Sequence, residues 1–133
     1  MVHFENDYMF GIKNQINILP ILKSYFNSDI IPHLGSKWAK YDYSDKDTVY
    51  ELKTRKVRKK TYPTTLLTCN KVVESIGKKI VFLFHFKDEL SYIEYDKELF
   101  STFEKRPYSR IGEVFDEKDY YFIPIEHLKT IDI

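Results

Sequence analysis

Cysteine, glycine and proline are scarce in this chain of 133 residues, which contains one Cys, four Gly and five Pro. The lone Cys69 cannot form a disulfide within the chain, and no Cys/His group has the spacing of a zinc site. We therefore expect packing alone to stabilise the fold. The low Gly and Pro content also excludes collagen-like and low-complexity chains, so the composition is that of a globular protein.

Long apolar runs are missing as well. The IVFLFHF run at residues 80–86 is far shorter than a membrane span, and the first residues, MVHFENDYMFG, do not form a signal peptide. We expect an intracellular protein of the cytoplasm or nucleus that is neither secreted nor bound to a membrane. The length favours a single domain covering residues 1–133.

Charge is nearly balanced in total but unevenly distributed along the chain. The net charge is +1, yet residues 1–87 contain 15 basic and 8 acidic side chains, whereas residues 88–133 contain 6 and 12. Six of the eight residues from Lys53 to Lys60 are basic. This local positive field suits a polyanion such as nucleic acid, although a solvated lysine-rich loop explains the same run equally well.

The order of helical and strand patterns predicts an α/β fold. Apolar residues at helical spacing predict an amphipathic helix from about Glu5 to Tyr25, with Pro20 as a kink or a break between two helices. A second helix is expected from Tyr62-Pro63-Thr64-Thr65 to Gly77. Strands are predicted at Trp38–Ser44, Thr48–Arg55, Lys79–Phe86, Leu90–Tyr95 and Tyr120–Ile125, with a short helix or turn at Ile125–Lys129.

Aromatic residues are frequent, at 17% of the chain. Aromatic rings pack across strands of a sheet, and tyrosine also stacks on nucleic-acid bases. Both roles are open for four tyrosines, Tyr62, Tyr92, Tyr95 and Tyr108.

The first two predicted strands are most simply a β-hairpin that turns at Asp45-Lys46-Asp47. With residues 46 and 47 at the tip, Asp42 faces Glu51, and Lys53 lies on the same side of the sheet as Glu51. Directly opposed carboxylates are about 5 Å apart at Cβ, which is close enough to share one divalent cation. A slip of one residue in the register would separate them.

These three side chains form a plausible hydrolytic site. Two carboxylate oxygens, a backbone carbonyl and several waters suit Mg²⁺, and a nearby ammonium group such as that of Lys53 can orient an attacking water or stabilise developing charge. The alternative is a salt-bridge cluster of Asp42, Glu51 and Lys53 on a solvent-facing sheet, which predicts a polar face open to water.

Asp42 followed by Glu51-Leu52-Lys53 on the next strand resembles the D…(D/E)xK motif of the PD-(D/E)XK nuclease superfamily. The resemblance covers roughly residues 5–86. It implies a restriction-endonuclease-like core, in which helices flank a central mixed sheet with an antiparallel meander. The segments ELKTR, YPTT and NK also resemble small nuclease-like proteins of large DNA viruses and phages.

The resemblance assigns roles to individual residues. Asp42, Glu51 and the Leu52 carbonyl would bind Mg²⁺ or Mn²⁺, and Lys53 would be the catalytic lysine. Many members carry a Glu on the first helix, where this chain has Gln15, with Glu5 as an acidic alternative. Some members add a residue from the helix after the ExK strand, a role open to Lys71 or Asn70.

Together, these features predict a metal-dependent nuclease that hydrolyses DNA phosphodiester bonds. The backbone of the DNA would be held by the basic segment, Arg55, Lys56, Arg58, Lys59 and Lys60. Two alternatives remain open, a non-catalytic nucleic-acid-binding module on the same fold and an assembly protein whose charge asymmetry drives self-association. Because many members of the superfamily act as dimers, the resemblance also allows a homodimer.

Overall fold

A single long helix, α1 (Val2–Tyr25), begins the fold. The computed structural model describes residues 2–33, 40–108 and 118–132, with side chains described from residue 10 onward. The helix continues through Pro20, so the predicted break between two helices is not found. Pro20 itself is exposed, and Ile18 and Leu22 on either side of it are buried at 2% and 0% exposure. None of the helices in the described parts of the chain combines the length and apolar character that a membrane crossing requires.

The centre of the fold is a six-stranded mixed sheet in the order β1-β2-β3-β5-β6-β9. The neighbours β3 and β5 are parallel, and all other neighbouring pairs are antiparallel. The strands of this sheet are β1 (Ile31–Pro32), β2 (Tyr43–Ser44), β3 (Thr48–Thr54), β5 (Lys79–His85), β6 (Leu90–Glu94) and β9 (Lys129–Ile131). The α/β class with a mixed sheet is therefore confirmed, as are the strands predicted near 48–55, 79–86 and 90–95.

A second sheet has three antiparallel strands in the order β4-β8-β7. Its strands are β4 (Thr64–Thr68), β7 (Glu104–Pro107) and β8 (Asp119–Pro124). A 3-10 turn at Ile125–His127 follows β8, as the sequence predicts, and a short helix, α2 (Lys97–Phe100), precedes β7.

The helix predicted from residue 62 to Gly77 is wrong. This segment forms β4 and two 3-10 turns, Cys69–Lys71 and Glu74–Ile76. In β4 the burial alternates from residue to residue, with Thr65 and Leu67 buried, and this period of two is that of a strand. Gly77 ends the second turn at φ +70, the left-handed conformation that favours glycine.

Both faces of the six-stranded sheet are covered. One face packs against α1, where Ile18 and Leu22 join Tyr43, Tyr50 and Leu83 in one apolar cluster. The opposite face packs against the three-stranded sheet, through a second cluster that includes Val49, Leu67, Ile80, Phe82, Phe84 and Ile123. The second layer is thus a sheet, where the resemblance implied a second flanking helix.

Candidate active site

The hairpin has the register that the sequence predicts. Tyr43 pairs with Tyr50 and Ser44 with Val49, which places Asp42, just before β2, opposite Glu51 on β3. The Asp42 amide also donates to the Tyr50 carbonyl at 3.0 Å, so the pairing with β3 begins one residue before the first residue of β2. The two acids are therefore neighbours across the hairpin.

The turn itself is fixed by the buried side chain of Asp45. Its Oδ1 accepts hydrogen bonds from the backbone amides of Asp47 and Thr48, each at 2.9 Å. Its Oδ2 accepts from the Tyr50 hydroxyl at 2.7 Å. Asp45 is thus a turn residue, and its hydrogen bonds set the register that brings the two site acids together.

Both carboxylate oxygens of Asp42 accept hydrogen bonds. Gln15 Nε2 on α1 donates to Oδ1 at 2.9 Å, and the backbone amide of Leu52 donates to Oδ2 at 2.8 Å. The Asp42 carboxyl group is also within hydrogen-bonding range of Glu51. Burial and the negative charge of Glu51 raise the pKa of Asp42 to about 7, against the opposing effects of the Leu52 amide and the Lys53 charge.

Glu51 is almost completely buried, at 4% exposure. It lies beside Phe82 in the parallel β3–β5 pair. Its Oε2 is 3.2 Å from Lys53 Nζ and 3.2 Å from Lys71 Nζ. Two ammonium groups therefore compensate a carboxylate that would otherwise be costly to remove from water.

Lys71 is held in place by the polypeptide around it. Its Nζ donates to the Lys40 carbonyl at 3.2 Å, and its own carbonyl accepts from the Tyr41 hydroxyl at 2.7 Å. Through this hydrogen bond Tyr41 anchors the turn that carries Lys71. Of the two candidates after β3, the structure brings Lys71 to the site, whereas Asn70 is exposed and has no contact with these carboxylates among the described residues.

The remaining predicted ligands differ in outcome. Gln15 does reach the site, as a neutral amide. The contact that the structure gives Leu52 is through its N–H, so a metal-binding role for its carbonyl stays a prediction. The side chain of Glu5 lies outside the described residues. Among the side chains that the structure describes, no three or more His, Cys, Asp or Glu residues form a group that could hold a metal.

The basic segment divides into two kinds of residue. Lys56, Arg58 and Lys60 are exposed. Arg55 instead donates to the Leu66 carbonyl, and its guanidinium lies 5.7 Å from the centre of the Phe84 ring. The ammonium of Lys59 is 2.6 Å from Glu89, and its side chain is only 12% exposed. Arg55 and Lys59 thus connect strands of the fold in addition to contributing positive charge.

A second polar group, which the sequence prediction missed, lies next to Gln15 on α1. The buried Asn14 donates from Nδ2 to Thr54 Oγ1 at 2.7 Å, and its Oδ1 is 2.9 Å from His85 Nδ1. Thr54 and His85 are paired residues at the ends of β3 and β5. Asn14 stands four residues before Ile18 on the apolar side of the helix, and a polar residue at that position is the signal that could have identified it.

The site therefore combines two neighbouring acids, two lysines and one helix amide, that of Gln15, drawn from α1, the hairpin, β3 and the turn after β4. Comparison of the chain with protein-family models, with curated proteins and with solved structures finds no match to any of them.

Proposed function

We propose that the protein is a metal-dependent nuclease that hydrolyses DNA phosphodiester bonds at Asp42, Glu51 and Lys53. The observation that carries the proposal is the burial of Glu51, at 4% exposure, in contact with a second carboxyl group and two lysines. A salt-bridge cluster on an open sheet would leave this face in water, which is not the arrangement here. Buried ionisable groups that shift one another's pKa are characteristic of functional sites.

The donor chemistry fits one divalent cation. Asp42 lies within hydrogen-bonding range of Glu51, and burial together with the charge of Glu51 raises the pKa of Asp42 to about 7, so Asp42 holds its proton up to near-neutral pH. Oxygen-rich pairs of this kind suit Mg²⁺ or Mn²⁺, and binding the ion would release that proton. When bound, the ion would polarise a phosphoryl oxygen and acidify a water molecule.

The lysines have separable tasks. Lys71 is anchored through Tyr41 and Lys40, so it holds the Glu51 side chain in position. Lys53 and Lys71 are almost equally exposed, at 28% and 25%, but the Lys71 ammonium is also bound to the Lys40 carbonyl, whereas Lys53 contacts Glu51 and faces an open cleft beside β3. Its ammonium group would orient the attacking water or stabilise charge on the phosphate as the bond breaks.

The order of strands also supports a restriction-endonuclease-like core. The meander β1-β2-β3 is antiparallel and a fourth strand, β5, follows it beside β3, as the resemblance implies. The departure lies in the connection from β3 to β5, which contains β4 and 3-10 turns in place of a helix.

The direct test is DNA cleavage by the purified protein. Supercoiled plasmid and single-stranded DNA are incubated with Mg²⁺, with Mn²⁺ and with chelator, using the wild type, Glu51→Gln and Lys53→Ala. Glu94→Gln is the matched control, since it changes an exposed carboxylate on β6. We expect metal-dependent cleavage that both site variants lose and the control keeps; cleavage that survives in chelator or in both site variants would refute the proposal.

One observation favours a second function, a non-catalytic nucleic-acid-binding module. The neutral Gln15 already occupies Asp42 Oδ1, and lysines already neutralise Glu51, so the cluster is balanced without a metal. This function predicts salt-sensitive DNA binding that Mg²⁺ and Mn²⁺ leave unchanged, with no cleavage under any condition. If the protein neither cleaves nor binds DNA, both functions fail and self-assembly becomes the remaining hypothesis.

A further inference from the structure

An open cleft of about 690 Å³ begins at the candidate active site. Lys53 forms part of its wall, and the same lysine contacts Glu51 at 3.2 Å. From there the cleft runs between the basic segment after β3 and the three-stranded sheet. One end of a ligand bound along this cleft would therefore lie next to the proposed site of hydrolysis.

The walls of the cleft carry charge of one sign. Of its described lining residues, four are basic (Lys53, Arg55, Lys56 and Lys59) and none is acidic. A second cleft, of about 570 Å³ at the hairpin turn, is lined by charges of both signs, four acidic (Asp45, Asp47, Glu94 and Asp96) and two basic (Lys79 and Lys129). The concentration of positive charge in the first cleft suits a phosphate backbone.

Tyrosine rings stand at the same cleft. Tyr62 is 60% exposed and Tyr108 is 42% exposed, and both line the cleft together with Tyr120. Tyr108 lies edge-on to Tyr120, with ring centres 6.3 Å apart. Within the described residues, Tyr62 has no hydrogen bond or ring contact, so packing in the protein does not account for its position.

The backbone at Tyr62 is held although its ring is free. Pro63 restricts the preceding residue to extended conformations, and Tyr62 is found at φ −127 and ψ 152. The Pro63 carbonyl accepts from the Ile125 amide at 3.1 Å, which ties this point to the end of β8. The ring is therefore presented to solvent from a fixed position, as a stacking platform requires.

We propose that this cleft binds an unpaired DNA strand, with a base stacked on Tyr62 and the phosphates along the basic wall toward Lys53. The inference rests on the proposed function and narrows its substrate to DNA with a single-stranded segment, such as a flap, an overhang or an open end. Within a duplex, neighbouring base pairs cover the faces of each base, so an exposed tyrosine ring gains a partner only where bases are unstacked. The phosphates of an intact duplex could contact the basic side chains of the cleft, but its bases could not stack on the tyrosine rings.

The test measures binding and not cleavage, so that the two proposals can fail separately. A fluorescent oligothymidylate and a blunt duplex are titrated with protein in the presence of chelator, and binding is followed by fluorescence anisotropy. The variants are Tyr62→Ala, Tyr62→Phe and, as the matched control, Tyr25→Ala. Tyr25 is 45% exposed and belongs to α1, on the opposite side of the six-stranded sheet.

We expect Tyr62→Ala to weaken binding to the oligothymidylate by about 5- to 100-fold, the usual effect of removing a ring that stacks on one base. Tyr62→Phe keeps the ring and should bind like the wild type, as should Tyr25→Ala, and duplex binding should not change in any variant. Photo-crosslinking of a bromodeoxyuridine strand to Tyr62 gives a second readout that needs no variant.

Three results would overturn the inference. They are a wild-type protein that binds no oligothymidylate, a Tyr62→Ala variant that binds it normally, and an equal loss of duplex and single-strand binding. Tyr62-dependent strand binding without metal-dependent cleavage would instead refute only the nuclease proposal. Cleavage together with unchanged binding by Tyr62→Ala would refute only this inference.

Discussion

Gln15→Glu is the most informative single change, because it places a third carboxylate at the two that the hairpin has already brought together. In the wild type, Gln15 Nε2 donates to Asp42 Oδ1 at 2.9 Å. The variant replaces this charge-assisted hydrogen bond, worth about 1.5–3 kcal/mol, with repulsion between like charges. At about 4 Å and an effective dielectric constant near 20, that repulsion is about 4 kcal/mol.

Without metal, Gln15→Glu should therefore lower the free energy of unfolding at pH 8 by about 5.5–7 kcal/mol, a large part of the stability of a typical domain. The penalty should be much smaller at pH 5, because the pKa of Asp42 is about 7 and a protonated carboxyl group can donate to its neighbour. Mn²⁺ or Mg²⁺ should then restore the stability at pH 8, since three carboxylates surround one cation more effectively than two.

The assay is thermal unfolding at pH 5 and pH 8, with Mn²⁺ and with chelator. Gln15→Ala is the control, because it removes the hydrogen bond without adding charge and should show little response to either metal or pH beyond that of the wild type. If metal leaves the stability of Gln15→Glu at pH 8 unchanged, no cation binds between these acids. If metal rescues stability but neither the variant nor the wild type cleaves DNA, the cluster is a metal site without nuclease activity.

The carboxyl groups of Asp42 and Glu89 each give a prediction that depends on pH. Since the pKa of Asp42 is raised from 3.8 to about 7, folding takes up a proton between these pH values, and wild-type stability should fall as pH rises through this window. Denaturant titrations at pH 5 and pH 8 should show a fall of about 3 kcal/mol, and Asp42→Asn should remove it. Burial raises the pKa of Glu89, but hydrogen bonds from Lys59, Thr130 and Ser91 outweigh it and lower that pKa to about 2. Glu89→Gln should accordingly lower the free energy of unfolding by about 2 kcal/mol at pH 7. It should also abolish the loss of stability that the wild type shows as pH falls from about 4.5 to 2. Acid unfolding that is the same in the variant would show that other groups control it.

Short-range patterns explain why the hairpin could be predicted from the sequence. Asp45 specifies the turn through hydrogen bonds to residues no more than five positions away. The alternation of side chains along each strand then places Asp42, Glu51 and Lys53 on the hairpin, whatever the rest of the chain does. The motif residues follow from local geometry of this kind. Their nuclease role remains a proposal.

Long-range partners explain what the sequence did not reveal. The segment from Thr64 contains apolar residues at spacings that fit a helix, but β4 pairs with β8, whose residues lie more than fifty positions later, and this pairing decides its conformation. The approach of Gln15 to Asp42 and of Lys71 to Glu51 likewise depends on how α1 and the turn after β4 pack on the central sheet. Periodicity carries no information on such contacts.

The parallel pairing of β3 with β5 has a consequence for the order of folding. The hairpins β2–β3 and β5–β6 each have a connecting loop of only a few residues. Pairing β3 with β5 requires the ends of a much longer loop, residues 55–78, to come together. Closing this longer loop costs more chain entropy than closing either hairpin. We therefore expect the hairpin to bring Asp42 and Glu51 together first, in water, and the two acids to lose their hydration only when Phe82 and Phe84 pack beside β3. The free-energy cost of burying the two acids then belongs to this late step and should slow the completion of the fold. A bound cation would lower that cost and speed the step.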